Sequence, residues 1–373
     1  MKVIYDHQIY LQEVGGISRY FQNLIATFEQ ENICQTEVLS FFSRNIYSEK
    51  NNNGIFLSKT GISILDNFLN RRILNEQFIK FNELYTIKKL NYDNYSLIHV
   101  TDHHCSYLEK IQQKRPVVLT MHDLIPELFP SLFSDIKQRI RDRKYSIQKA
   151  DRIICISEST KKDLINIYDV PPNKVSMIYH GAPDYLKNYH IGLNKYEDKK
   201  YIMYIGNREA PYKNFWNMIE NLDQFFTSNI EFSLVCVGAA FTVTESAKMK
   251  KYSWNKRVTA LRVDESELFS IYKNSLCLIF PSLYEGFGFP LLEAMKAGCP
   301  ILASDTSCLP EIAAGGAKYF NPVTFTGFAE NLKSIIEDSD QKKNMLEKQA
   351  IRLNDFSWKK TAYETYDCYL KVL

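Results

Sequence analysis

The residues best suited to chemistry are two carboxylates, Glu285 and Glu293, at either end of a glycine-containing turn. An apolar run over residues 277–280 leads into Pro281 and Ser282, and an apolar helical pattern begins at Pro290. Gly286 and Gly288 let the backbone approach a ligand closely. Pro290 suits the first helical position, where a missing N–H costs nothing. A helix start offers free N–H groups and a positive dipole to a phosphate. Glu285 precedes the helix and Glu293 falls in its first turn, so the two do not share a helical face, yet both can look into one pocket.

Other reactive side chains also follow strand patterns. The run 201–205 leads into Gly206 and Arg208, then Lys213 at a helix start. Gly15 and Gly16 open a helix after the first strand, and the strand at 117–120 ends in His122 and Asp123. His103 and His104 follow the strand at 97–101, and His180 with Gly181 follows the strand at 175–178. Parallel sheets bind their ligands at the carboxyl ends of their strands. His103, His104 and His180 are therefore candidates to face an acceptor or line a cleft, with a hinge as the other reading at His180 and Gly181 and a solvated loop at His103 and His104. Arg19, one turn into its helix, reads as an exposed or structural charge, and Ser157 as a helix cap.

The elements that must position these residues alternate between short apolar runs and helical patterns. Strands are expected at 3–6, 37–42, 97–101, 117–120, 153–156 and 175–178, then at 201–205, 232–237, 277–280 and 300–303. Helices are expected at 17–28, 135–149, 158–168, 215–226, 265–274 and from Pro290. Such alternation means parallel sheets with helices on both faces. A polar linker over 187–200 divides it into two domains, and two facing domains bring both sets of strand-end loops into one cleft. Residues 43–60 read as an exposed loop. Residues 62–90 form a long helical pattern carrying Arg71, Arg72, Lys80, Lys88 and Lys89 among apolar residues, a composition that suits an anionic lipid surface or a solvated face over a packed stripe.

At 373 residues the expectation is two domains or three. Hydrophobic residues make up 45% and charged ones 24%, ample for two cores, and a net charge of +3 gives no sign of nucleic acid. Asp6 cuts short the first apolar run, so it reads as a strand and not as a secretory signal. No apolar run approaches the ~18 residues of a membrane span. The eight cysteines include no C-x-x-C pair and several sit in strand-like runs, which suits buried thiols in a reducing, cytoplasmic setting. The D-x-D string at 338–340 lies between two helical patterns and reads as a cap and turn, so no metal is expected. No G-x-G-x-x-G follows the first strand, which argues against a dehydrogenase.

The chain resembles the family 4 retaining glycosyltransferases of the GT-B fold. Their signature is a glutamate, seven residues and a second glutamate, with Gly-Phe-Gly and Pro between, matched here from Glu285 to Glu293. The resemblance covers nearly the whole chain, including Leu309, Pro310 and Glu311, and is most specific in the second half. It implies an α/β fold of two Rossmann-like domains with parallel sheets facing across a cleft. Residues 1–186 would form the acceptor-side domain and 187–356 the nucleotide-sugar domain. Helix 357–373, with Trp358, Tyr363 and Tyr366, would cross back to the first. It implies that Glu285 lies against the donor sugar, with His122 and Asp123 beside it. Glu293 binds the ribose, and Arg208 and Lys213 hold the diphosphate. Gly15, Gly16, Gly206, Gly286, Phe287, Gly288, Phe289, Leu291 and Leu292 complete the donor site. The implied reaction moves a hexose, mannose as first guess, from a GDP- or UDP-linked donor to a glycan hydroxyl, without a cofactor. The implied setting is lipopolysaccharide, O-antigen, capsule or exopolysaccharide synthesis at the inner face of the cytoplasmic membrane, with a lipid-linked acceptor. A sugar-nucleotide epimerase of the same fold and a non-catalytic sugar-nucleotide-binding scaffold are the rival readings.

Overall fold

The computed structural model describes residues 1–11, 15–43, 55–56, 71–101, 104–183 and 200–373, with side chains omitted at 11, 55–56 and 71–75. His103, the linker at 187–199 and the first part of the basic stretch at 62–70 lie outside the described residues. The chain forms two compact units, Met1–Gly181 with Ser357–Leu373, and Ala182–Phe356. The division falls at Gly181, five residues before the expected 186, because sequence polarity rises only later, whereas the backbone N–H of Ala182 already bonds to Phe356 O.

The first unit contains β1 (Lys2–Tyr5), α1 (Gly16–Gln30), β2 (Gln35–Val38), β3 (Phe42–Ser43), β4 (Ile55–Phe56), α2 (Arg71–Tyr92) and β5 (Leu97–Val100). It continues with β6 (Val117–Met121), α3 (Ile125–Leu128), α4 (Ile136–Lys149), β7 (Arg152–Cys155), α5 (Glu158–Tyr168) and β8 (Val175–Met177). Its sheet runs β2-β1-β5-β6-β7-β8, with every pairing parallel. Central strands of such a sheet are covered on both faces, as β5 is with all four of its residues buried. Helix α1 lays Tyr20, Phe21, Leu24, Ile25 and Phe28 on the core, a stripe at helical spacing.

The face that α2 buries carries the polar Asn82 and Thr86 beside the apolar Leu90. Asn82 is fully buried and bonds the backbone of Phe41 and Phe42, and Thr86 donates to Leu39 O, while Ile79 and Leu84 are exposed. Some apolar residues of α2 face outward, while these two polar side chains satisfy backbone groups inside. Lys89 is paired with Asp93 at 2.5 Å and Glu37 at 3.5 Å.

The second unit contains β9 (Tyr201–Ile205), α6 (Phe215–Ser228), β10 (Ser233–Val237), α7 (Val243–Met249), β11 (Val258–Leu261), α8 (Glu265–Asn274) and β12 (Leu278–Phe280). Then come α9 (Phe289–Ala297), β13 (Ile301–Ser304), α10 (Leu309–Ala313), β14 (Lys318–Phe320), α11 (Phe328–Glu337) and α12 (Ser339–Leu353). The sheet order is β11-β10-β9-β12-β13-β14, again all parallel. Its core stacks Phe226 on Trp254 with ring centroids 4.4 Å apart. Asp338 caps α12 through the N–H groups of Asp340 and Gln341.

The last helix, α13 (Trp358–Leu370), belongs to the first unit. Trp358, Cys368 and Tyr369 are buried and anchor it, whereas Tyr363 is exposed. Tyr369 OH bonds to Tyr5 OH at 2.9 Å and to Nδ1 of His99 at 2.6 Å, and Nε2 of His99 meets Thr120 Oγ1 at 2.7 Å. A buried polar chain thus ties the C-terminus to β1, β5 and β6.

Candidate active site

In the second unit the strand order reverses between β9 and β12, and a sheet of this kind binds ligands outside the carboxyl ends of such a pair. The loop after β9 carries Gly206, Arg208 and Lys213, and the loop after β12 carries Glu285 and the glycine turn. Lys213 Nζ donates to Glu285 Oε1 at 2.6 Å across this reversal. Ser282 Oγ donates to the same oxygen at 2.6 Å. The N–H of Glu285 donates to Ser307 Oγ at 3.1 Å, so three neighbours orient one glutamate.

Gly288 has φ +86, and a Cβ there would meet Leu309 Cδ2 at 3.0 Å, which accounts for glycine immediately before α9. Pro290 occupies the second helical position and not the first, because Phe289 already opens the helix. Leu291, Leu292 and Glu293 are buried on α9, and Phe287 packs against Phe289 with centroids 5.6 Å apart. Glu293 is 4% exposed and accepts from Tyr272 OH at 2.9 Å. Gly206 has φ +149, and a Cβ there would lie 3.1 Å from Tyr204 OH. Arg208 pairs with Glu245, Nε to Oε1 at 2.9 Å.

The corresponding reversal in the first unit lies between β1 and β5. Asp6, fully buried at the end of β1, accepts from the N–H of Thr101 at 3.0 Å, from the Thr101 hydroxyl, from Gln8 and from Tyr107 OH at 2.7 Å. Gly15 is the N-cap of α1, and Gly16 has open space where a Cβ would be. His122 is 7% exposed, among the rings of Tyr20 at 5.2 Å, Phe21 at 5.9 Å and His180 at 6.1 Å. Among the described residues its Nε2 has no hydrogen-bond partner. Burial, helped by the Arg143 charge, pushes its pKa down to about 3, so it is a neutral imidazole. Burial likewise holds His180 well below the usual range, and its ring packs 4.6 Å from that of Tyr20.

Asp123 accepts the N–H of Ile125, the first residue of α3, at 3.0 Å, while its carbonyl is held by Arg143 at 3.0 Å. Arg143 also pairs with the buried Glu127, which accepts from Tyr168 OH at 2.6 Å. His104 stands apart: it is exposed and paired with Asp142 at 2.9 Å. Ser157 caps α5 by accepting the N–H of Thr160.

Sequence reasoning took Asp6 only as the end of the first apolar run and passed over Glu127, Arg143, Glu245 and His99. Two of them carried a signal. Asp6 follows a strand directly, and Thr242 with Glu245 forms a capping-box pair.

Comparisons with known proteins bear on both units. A model of the glycosyltransferase family 4 matches residues 14–184, and a model of the glycosyl transferases group 1 matches residues 187–352. The O-antigen chain mannosyltransferase RfbU of Salmonella typhimurium is 26% identical over 235 residues, covering 62% of this chain and 64% of that protein. The match therefore spans less than two thirds of that relative's length. Among solved structures, sucrose-phosphate synthase from Thermosynechococcus elongatus superposes with a TM-score of 0.75 at 18% identity, covering 99% of this chain and 98% of that one. Anabaena HepE in complex with UDP-glucose gives 0.73 at 16% identity, covering 100% of both chains. The fold is GT-B. With one model on each half and nearly the whole length matched between them, the chain belongs to the group 1, family 4 glycosyltransferases.

Proposed function

We propose that this chain transfers a hexose from a nucleoside-diphosphate sugar to a hydroxyl of a growing glycan, with the donor's anomeric configuration retained. The observation that carries this reading is the Lys213–Glu285 contact at the strand reversal, beside the glycine turn that opens α9. A cation, a carboxylate and a helix N-terminus at one strand end suit a substrate that carries a diphosphate and develops positive charge at carbon as the diphosphate leaves. Lys213 and Arg208 take the diphosphate, Glu293 the ribose, and Glu285 the sugar face. His122, Asp123, Gly15 and Gly16 are the first unit's candidates for substrate binding. No cofactor and no metal is needed in this scheme.

Mannose is the first donor sugar, because the Salmonella relative is an O-antigen chain mannosyltransferase. A UDP-linked hexose is the second, because the HepE structure holds UDP-glucose. The acceptor is a lipid-linked glycan of the surface-polysaccharide kind, met at the inner face of the cytoplasmic membrane. No described helix is long and apolar enough to cross a membrane. Lys80 and Lys88 are exposed on α2 beside Ile79 and Leu84, which supports a peripheral contact with anionic lipid.

The test begins with calorimetric titration of GDP and UDP. GDP-mannose and UDP-glucose are then each supplied with a lipid-linked glycan, and the product linkage is read by NMR. Binding of neither diphosphate would end the proposal. Donor turnover to a second sugar nucleotide without acceptor would favour the epimerase reading. Donor binding without any turnover would favour a scaffold.

A further inference from the structure

Arg208 is 5% exposed, and its guanidinium is gripped by the segment that follows β10. Glu245 takes it side-on, with Nε donating to Oε1 at 2.9 Å and Nη2 to Oε2 at 3.3 Å. Nη2 also donates to the carbonyls of Ala239 at 2.8 Å and Ala240 at 3.1 Å. The Phe241 ring covers one face, its centroid 4.4 Å from Cζ. The socket is itself braced. Glu245 sits at the third position of α7, accepts the N–H of Thr242 at 2.8 Å, and donates its own N–H to Thr242 Oγ1 at 3.2 Å.

This leaves one nitrogen. Among the described residues Nη1 makes no hydrogen bond. It lies beside Gly238, the residue after β10, where a Cβ would stand 3.7 Å from Nη1 and 3.2 Å from Gly206 O. Gly238 has φ +150, so its backbone favours glycine, and the glycine keeps a side chain away from Nη1. A guanidinium presents its donors in a fixed planar fork, so occupying the Nε–Nη2 edge fixes where Nη1 points.

We infer that Glu245 is a positioning residue for the donor diphosphate: it holds Arg208 by the Nε–Nη2 edge and so presents Nη1 at the carboxyl ends of β9 and β10. This rests on the proposed reading of Arg208 as a diphosphate ligand. A preset arginine loses little side-chain freedom when the anion arrives, which raises affinity without adding a contact. A residue that merely braced α7 would affect folding and not act through Arg208.

The test is a double-mutant cycle read by calorimetric titration of GDP and UDP, with thermal unfolding run on every variant. Glu245→Gln keeps an acceptor for Thr242 and removes the charge that orients the guanidinium. It is expected to weaken binding of whichever diphosphate the wild type takes by about tenfold. In an Arg208→Gln background the same change is expected to alter affinity by less than about twofold, since there is no guanidinium left to orient. Lys213→Ala serves as the independent probe of the diphosphate site. Should Glu245→Gln not fold, Glu245→Asp keeps the charge but withdraws it by one methylene, and a loss of at least about threefold that disappears in the Arg208→Gln background is expected. Wild-type affinity in the folded Glu245 variant beside weakened Arg208→Gln overturns the inference, and so does an equal loss in both backgrounds. If Lys213→Ala weakens binding and Arg208→Gln does not, Arg208 is no ligand and the inference falls while the diphosphate site stands. If neither change weakens binding, the diphosphate reading itself is wrong.

Discussion

Lys213 Nζ and Glu285 Oε1 lie 2.6 Å apart although the two residues are 72 positions apart in sequence. Neither loop makes this contact alone; the sheet does, by placing β9 next to β12. Side-chain exposures of 18% and 11% leave the pair partly open to a ligand. The carboxylate is further fixed by Ser282, and its N–H by Ser307, whose φ of +49 is uncommon for a residue with a side chain. Backbone strain of this kind clusters at functional sites.

Removing Lys213 should therefore cost more than one contact. In Lys213→Ala an incoming diphosphate meets Glu285 without its compensating cation. A charge-assisted bond contributes on the order of 1.5–3 kcal/mol, so affinity for GDP or UDP should fall about tenfold or more. Calorimetric titration checks this, and an unchanged Kd would place the phosphates away from Lys213.

The buried histidines make the protein acid-sensitive. Burial, with a smaller contribution from His122, pushes His99 down to about 3, and burial with the Arg143 charge does the same to His122. Both stay neutral in the folded chain, whereas an unfolded histidine takes up a proton below about 6.5. Between those values the unfolded state binds more protons, so stability rises with pH and is lost as pH falls from 6.5 towards 3. Each such histidine adds a slope approaching about 1.4 kcal/mol per pH unit. Urea unfolding at pH 7, 6 and 5 should show this slope, and His99→Gln should reduce it. A pH-independent unfolding free energy over that range would mean that these rings titrate normally.

How much of this was legible depended on whether a residue's role is local. β9, covered on both faces, announces itself as an apolar run, and its expected bounds match Tyr201–Ile205. The edge strands β11 and β14 do not: they are only partly buried, lack a continuous apolar pattern and were not foreseen. The glycine turn from Glu285 to Glu293 is a contiguous string and could be read directly. The Arg208–Glu245 pair could not, because it arises from two loops brought together by β9 and β10. The bond from His99 to Tyr369 joins residues 270 positions apart, and nothing local to either one signals the other. At α2 the sequence misled, since Asn82 and Thr86 look like surface residues until the backbone groups they satisfy are seen.

Gly181 offers a sharper stability test. A Cβ there would fall 2.4 Å from both the backbone nitrogen and Cγ of Trp358. Trp358 is buried at the start of α13, so the helix must shift to admit even a methyl group. Overpacking of this sort costs typically 1–3 kcal/mol, and Gly181→Ala should lower the unfolding midpoint by several degrees. A wild-type midpoint would show that α13 docks loosely, which its bonds to Tyr5 and His99 argue against.

Transfer should survive chelation. Lys213, Arg208 and the N-terminus of α9 are proposed to carry the charge that a cation would carry elsewhere. Activity measured with EDTA is expected to equal the untreated rate. Complete loss restored by Mg²⁺ or Mn²⁺ would show that a metal shares the work.

The two glutamates should separate kinetically. Glu293 is proposed to bind ribose, which is the same in ground and transition states, and losing uniform binding raises KM while leaving kcat nearly intact. Glu293→Gln should thus weaken donor and free nucleoside diphosphate alike. It also exchanges a charged acceptor for a neutral one opposite Tyr272, and thermal unfolding must show that the variant remains folded. Glu285 sits on the glycine side of the turn, held by Lys213 and Ser282. The anomeric carbon gains positive charge as the diphosphate departs, and a fixed carboxylate stabilises that charge more than it stabilises bound donor. Glu285→Gln should lower kcat by about a hundredfold or more while nucleoside diphosphate binds about as well as before or more tightly, because Lys213 is released from its partner. NMR of the product should show the donor's anomeric configuration kept. An inverted product would refute the retaining reaction, and matching kinetic defects in the two variants would refute the division of roles.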